Sequence, residues 1–168
     1  MMREPEADAG DGRRFAVDRM MGRLARWLRV LGHDVAYGPH LVGRTLVACA
    51  RREDRLLLTR DTHLLRDPHL PPHVFITSDD FRAQLREVAA AVPLGGRALL
   101  RRCLECNRLL EEVPRERARD RVPPFVWATN ERFLTCPSCG RLYWPATHYA
   151  HMRQELTTLG LLPESATS

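Results

Sequence analysis

The chain of 168 residues contains no lysine, so all 26 of its basic residues are arginine. Aromatic residues make up only 7%. Unbroken apolar runs, such as Leu56-Leu57-Leu58 and Ala89-Ala90-Ala91-Val92, are only a few residues long and fall far short of the roughly 18 to 20 needed to cross a bilayer. Met1 to Gly12 (MMREPEADAGDG) has neither hydrophobic periodicity nor the basic-then-apolar order of an export signal, and it reads as a disordered leader. These absences argue against membrane insertion and export and lead to the expectation of a cytoplasmic protein with no membrane partner. The missing lysine, in a chain rich in Ala, Arg, Leu and Pro, also fits GC-rich coding, so the arginine count alone says little about nucleic acid.

With 44% hydrophobic and 28% charged residues, the chain fits one or two small globular domains that bury roughly two-thirds of the unfolded surface. The formal charge of +5 becomes +3 if four cysteines bind Zn²⁺ as thiolates. Its distribution is more informative. Residues 1–12 carry one Arg against four acids, whereas residues 13–36 carry six Arg against two Asp, which concentrates positive charge at the first structured element.

Phe15-Ala16-Val17 reads as a strand ending at Asp18, followed by a helix in which Met20, Leu24, Trp27, Leu28 and Leu31 recur at three- and four-residue spacing up to Gly32. Val35-Ala36-Tyr37 reads as a strand and Thr45 to Arg52 as a helix. Leu56 to Thr59 reads as a strand buried on both faces, and Asp61 to Arg66 as a short helix at most. His73 to Thr77 then predicts a strand and Ser78 to Val92 a helix capped by Ser78. Four strand–helix alternations imply right-handed crossovers and a mostly parallel α/β sheet flanked by helices, spanning about residues 13–97. Beyond Pro93-Leu94-Gly95-Gly96 the texture changes. Residues 98–152 contain two Cys pairs, an arginine-rich stretch from Pro114 to Pro124 and an apolar run, Phe125 to Thr129, that reads as a strand. Residues 153–168 read as the end of a terminal helix begun at Thr147, followed by a tail.

Cys103-Leu-Glu-Cys106 and Cys136-Pro-Ser-Cys139-Gly140 are two CxxC knuckles, a pattern that offers four thiolates to a tetrahedral Zn²⁺. Redox or disulfide chemistry is the rival reading, weakened by the duplication and by the lack of an export signal. Four protein ligands leave no open position, so the zinc is structural. The unpaired Cys49, in the apolar setting Val47-Ala48-Cys49-Ala50, reads as a buried small hydrophobe.

The aspartates form the second signal. Asp18 ends the first strand, Asp61 follows the third, and Asp79 and Asp80 follow the fourth. In a parallel sheet these all arrive at the carboxyl edge. Clustered carboxylates there suit Mg²⁺ or Mn²⁺ and an in-line attack on a phosphodiester. Helix capping is the plainer reading of Asp79 and Asp80, and turn formation that of Asp61.

FAVDRMMGRLARWLRVLGHDV (Phe15 to Val35), RREDRLLLTRDTHLL (Arg51 to Leu65), the paired CxxC motifs and GRLYWPATH (Gly140 to His148) together resemble the Mut-seven C-terminal ribonuclease family, which joins a PIN-like nuclease fold to a zinc ribbon. The resemblance covers about Phe15 to Met152. It implies a metal-dependent endoribonuclease with RNA as partner, with Asp18 and Asp61 matching the acidic motifs and Asp79 or Asp80 the later acidic position. Pro39 to Thr45 departs from the pattern by carrying no acid where relatives have an acidic run. Glu53 cannot supply it, lying at the opposite end of the third strand from Asp61, roughly 25 Å away. His40 lies at the correct edge, as a possible Mn²⁺ ligand or an exposed loop residue. Arg19, Arg23 and Arg26 share a helix face next to Asp18, and Arg60 adjoins Asp61; all four are candidate phosphate contacts, a solvated surface being the alternative. Tyr143, Trp144 and His148 would either stack on bases or pack the ribbon against the nuclease domain. Two functional readings follow: a nuclease, or a catalytically weak or inactive adaptor that binds RNA, the ribosome or an RNA-processing partner.

Overall fold

A computed structural model describes residues 13–95, 99–145 and 147–163. The expected leader at 1–12, the expected boundary at 97–98 and the end of the tail lie outside the described residues. The chain divides into two compact units, 1–99 and 100–168.

In the first unit, β1 (Phe15–Val17), β2 (Val35–Ala36), β3 (Leu56–Thr59) and β4 (His73–Phe75) form a parallel sheet in the order β2-β1-β3-β4. The central strands β1 and β3 show no apolar–polar alternation because helices cover both faces; Phe15, Ala16, Val17, Leu57 and Leu58 are all fully buried. The helices are α1 (Gly22–Val30), α2 (Gly43–Arg52) and α3 (Phe81–Ala91). The chain runs from β1 outward to β2, then returns past β1 to β3 and β4. With right-handed crossovers this reversal puts α1 and α2 on opposite faces. On the α2 side, Leu46, Val47 and Ala50 pack against Ala16 and Leu57. On the other, Trp27 of α1 stacks on Phe81 of α3 with ring centroids 5.6 Å apart. Helix α1 terminates where the glycine stop predicts, with Gly32 at φ 88°. Cys49 is buried in α2, as expected.

The amino edge of this sheet is closed by Arg55, whose guanidinium donates to Asp34 Oδ1 and to Glu53 Oε2, each at 2.7 Å. Glu53 is thereby committed to that end. Several boundaries shift by a residue or two, and the start of α3 differs most: it begins at Phe81, and its cap is Asp80 instead of Ser78. Asp80 Oδ2 accepts from the amides of Arg82 and Ala83, while Ser78 accepts from the Asp80 amide through its hydroxyl. A carboxylate able to take two orphan amides wins the cap position over a hydroxyl two residues upstream.

The second unit contains an antiparallel sheet in the order β5-β6-β7, from β5 (Glu111–Val113), β6 (Phe133–Thr135) and β7 (Leu142–Tyr143). Its helices are α4 (Arg115–Ala118), α5 (Pro124–Thr129) and α6 (Thr147–Thr158). The strand expected over Phe125 to Thr129 is therefore a helix. Pro124 at its first position pre-sets a helical φ and needs no amide partner. Tertiary contacts complete the turn: Trp127 Nε1 donates to the Arg115 carbonyl, and the Arg115 guanidinium donates to the carbonyls of Trp127 and Asn130 from 3.9 Å off the indole. The small core comprises Ala118, Val122 and Phe133, with Trp127, Leu142 and Trp144 packed against it. Among the described residues no helix is long and apolar enough to cross a membrane.

Candidate functional site

Two constellations stand out, one in each unit. In the first unit the strand order reverses direction between β1 and β3. Neighbouring connections leave this point toward opposite faces, and it is at such a reversal, at the carboxyl edge, that open α/β sheets place ligands. Asp18 leaves β1 and Asp61 follows β3 at this point.

Asp18 is 7% exposed. Its Oδ1 accepts from the Met20 amide at 3.3 Å, capping the 3-10 turn Arg19–Met21, and its Oδ2 accepts the Thr59 hydroxyl at 3.1 Å. Thr59 is fully buried, and the same hydroxyl oxygen accepts the Asp61 amide at 3.0 Å. Thr59 thus ties the two acidic segments together. Asp61 is half-buried; its Oδ1 accepts the His63 amide at 2.8 Å, leaving the second oxygen unengaged among the described residues. Each oxygen of Asp18 keeps a free lone-pair site beside its single hydrogen bond. Hard oxygen donors of this kind suit Mg²⁺ or Mn²⁺.

The other acids stand differently. Asp79 is exposed, and Asp80 is exposed and engaged in capping α3. Sequence reasoning missed Glu87, which reaches from α3 back to the β4 end and accepts the amides of Thr77 at 2.8 Å and Ser78 at 2.9 Å. Partial burial works to raise its pKa, but these two amides and the nearby Arg60 cation outweigh it and hold Glu87 below the usual carboxylate range. Across the ten residues from Thr77 to Glu87, no sequence pattern marks this contact. Thr59 was missed as well, although a polar residue ending an apolar strand is a signal that could have found it.

Arg19, Arg23 and Arg26 are all exposed, and Arg60 is half-buried. Arg23 lies 4.2 Å over the Phe81 ring, so part of the expected phosphate-binding face is already engaged with α3. His40 is exposed, with its ring against Gly38. Between Pro39 and Thr45 the Thr45 hydroxyl accepts the Val42 amide and donates to backbone carbonyls, capping α2 without a carboxylate.

In the second unit, Cys103, Cys106, Cys136 and Cys139 bring their Sγ atoms within 4.8 Å of one another; no other group of three or more His, Cys, Asp or Glu among the described residues comes together to share an ion. Cys103 and Cys139 are 3.7 Å apart, close to the edge of about 3.8 Å of a tetrahedron built on Zn–S bonds of about 2.3 Å. The knuckles repeat one local device. Asn107 and Gly140, each directly after the second Cys, adopt φ 64° and 72°. Their amides return to the carbonyls of Cys103 and Cys136, both at 2.9 Å. Glycine and asparagine are the residues that take this conformation most readily.

Burial opposes ionisation of Cys103, but the Tyr143 hydroxyl and the amides of Cys106 and Glu105 donate to its sulfur and hold it at about 7. Cys106 is pushed up to about 12, chiefly by the hydrogen bond it shares with Cys139. Tyr143 Oη lies 3.2 Å from Cys103 Sγ and accepts the Leu104 amide at 3.1 Å. Its hydroxyl is committed to the cysteine cluster, and Trp144 packs against the unit's own core; His148 is exposed.

The family model of the Mut7-C RNAse domain matches residues 13–156. No curated protein and no solved structure matches the chain.

Proposed function

The chain belongs to the Mut7-C RNAse domain family, and from that premise we propose that it is a metal-dependent endoribonuclease whose first unit is PIN-like and whose second is a structural zinc ribbon. The observation that carries this reading is the Thr59 hydroxyl, shared between the buried Asp18 carboxylate and the Asp61 amide at the reversal of strand order. Asp18 and Asp61 would hold Mg²⁺ or Mn²⁺, which supplies an activated water and stabilises charge on the attacked phosphate. Thr59 fixes the rotamer of Asp18, and its burial keeps water from competing for that hydrogen bond. Arg19 and Arg60, beside the two acids, are suited to hold phosphates on either side of the cleaved bond. Asp79 is a further acid available from the β4 end.

The test is cleavage of an RNA panel across Mg²⁺ and Mn²⁺ titrations by wild type, Asp18→Asn and Asp80→Ala. Cleavage by wild type, lost in Asp18→Asn and kept in Asp80→Ala, is the expected result, with Mn²⁺ effective before Mg²⁺ because so few carboxylates converge. The adaptor reading draws on two observations: the stretch from Pro39 to Thr45 carries no acid, and Asp80 is consumed as a cap. RNA binding without cleavage under every metal condition would select it.

A further inference from the structure

Five large apolar side chains among the described residues are exposed, and the three in the first unit are Met20, Val42 and Leu65, at 64%, 37% and 41%. Exposed apolar residues scattered singly need no explanation, but these three are not scattered. Each lies in the connection that follows the carboxyl end of β1, β2 or β3, the three adjacent strands around Asp18. The connections also touch one another. Tyr37, after β2, donates its hydroxyl to the Arg19 carbonyl at 3.0 Å, joining the second connection to the 3-10 turn that carries Met20. Leu41 and Leu64, the residues directly before Val42 and Leu65, pack on one cluster of Ala16, Leu46, Val47, Ala50 and Leu57.

The same segments carry Arg19, Arg44, Arg60 and Arg66. Apolar surface interleaved with guanidinium groups around a carboxylate pair complements a strand whose bases are free to unstack: phosphates meet the arginines, and base faces cover the apolar side chains. A duplex keeps its base faces stacked inward and gives such side chains nothing to bury. We propose that Met20, Val42 and Leu65 are the specificity-determining residues of the site, an apolar rim on which the unpaired bases flanking the cleaved phosphodiester pack. This role rests on RNA being the ligand of the rim, as proposed above.

Binding separates the two ideas because it needs no chemistry. The full zinc-loaded chain carrying Asp18→Asn is titrated into a short fluorescein-labelled RNA of mixed sequence, free and annealed to its complement, and anisotropy is read. Adding Met20→Ser and Leu65→Ser together should raise Kd for the single strand about tenfold and change Kd for the duplex by less than about twofold. The salt slope should stay constant, since no phosphate contact is removed. Met20→Leu should retain wild-type affinity, and because both side chains face solvent, the melting temperature serves as the folding control, with Leu65→Ser alone as the milder variant. Equal losses on both RNAs, no loss on either, or no single-strand binding by the parent chain would overturn the rim. A selective loss in a protein that never cleaves RNA would uphold the rim while rejecting the nuclease, and cleavage by wild type with unchanged variant affinities would do the reverse.

Discussion

Asp18 is engaged by the fold through both of its carboxylate oxygens. It caps a 3-10 turn through Oδ1 and accepts the Thr59 hydroxyl through Oδ2, so replacing its carboxylate touches stability directly. Asp18→Asn should lose about 1 kcal/mol, because the nitrogen that replaces one carboxylate oxygen cannot accept from Met20 or Thr59. Thr59 offers the cleaner probe of geometry because it carries no charge. Thr59→Val preserves shape but strips the hydroxyl from between Asp18 and the Asp61 amide, leaving buried groups short of a partner at a cost of about 1 to 3 kcal/mol. Thr59→Ser keeps the hydroxyl and should lose less. Urea unfolding gives the stability order, and RNA cleavage should follow the same order, Ser above Val, if the hydroxyl orients the carboxylate. Equal cleavage by the two variants would remove Thr59 from the site.

The elements after β1 and β2 are held together at one close approach. A Cβ built on Gly22 would lie 2.6 Å from Tyr37 Oη, and that hydroxyl is itself bound to the Arg19 carbonyl. The first residue of α1 is therefore glycine for lack of room, although alanine is the better helix former. Gly22→Ala forces the tyrosine off its acceptor and disturbs the turn that Asp18 caps. In a Tyr37→Phe background the offending oxygen is gone, so the alanine should cost less. Unfolding free energies of the single and double variants should show a coupling of about 1 kcal/mol, and strictly additive values would mean the contact is slack.

Across the whole chain, stability comes from different sources in the two units. The first has a sheet covered by helices on both faces. The second has a short antiparallel sheet, a small buried cluster around Ala118, Val122 and Phe133, and four sulfurs within 4.8 Å of one another that could hold a metal, whose ligation would then add to the folding energy. Purified protein should carry close to one zinc per chain. Cys136→Ser should lose it and strip amide-exchange protection from the described residues beyond Leu100 while those of 13–95 keep theirs. Elemental analysis with hydrogen exchange reads both, and protection retained in a zinc-free second unit would show that its core suffices.

The order of strands and helices in the first unit was legible because each is short, local and strongly patterned: unalternated apolar triplets for β1 and β3, a three–four spacing ended by glycine for α1. The cysteine cluster was legible for the same reason, since each knuckle closes within a few residues and needs only an αL-tolerant residue behind it. Residues around the candidate site were legible as far as their place at strand ends, which a parallel topology sends to one edge. Which of those acids is buried, which caps a helix and which is tied to a neighbour depended on contacts between residues far apart in sequence: Thr59 with Asp18, Tyr37 with Arg19, Glu87 with the amides after β4. The helix at Pro124–Thr129 was misread because its five apolar and β-branched residues fit a strand locally, and only the Arg115–Trp127 clamp and the completed β5-β6-β7 sheet select the helix. Local pattern determined which elements form; burial and long-range hydrogen bonding, which exist only once the chain is folded, decided what their polar residues do.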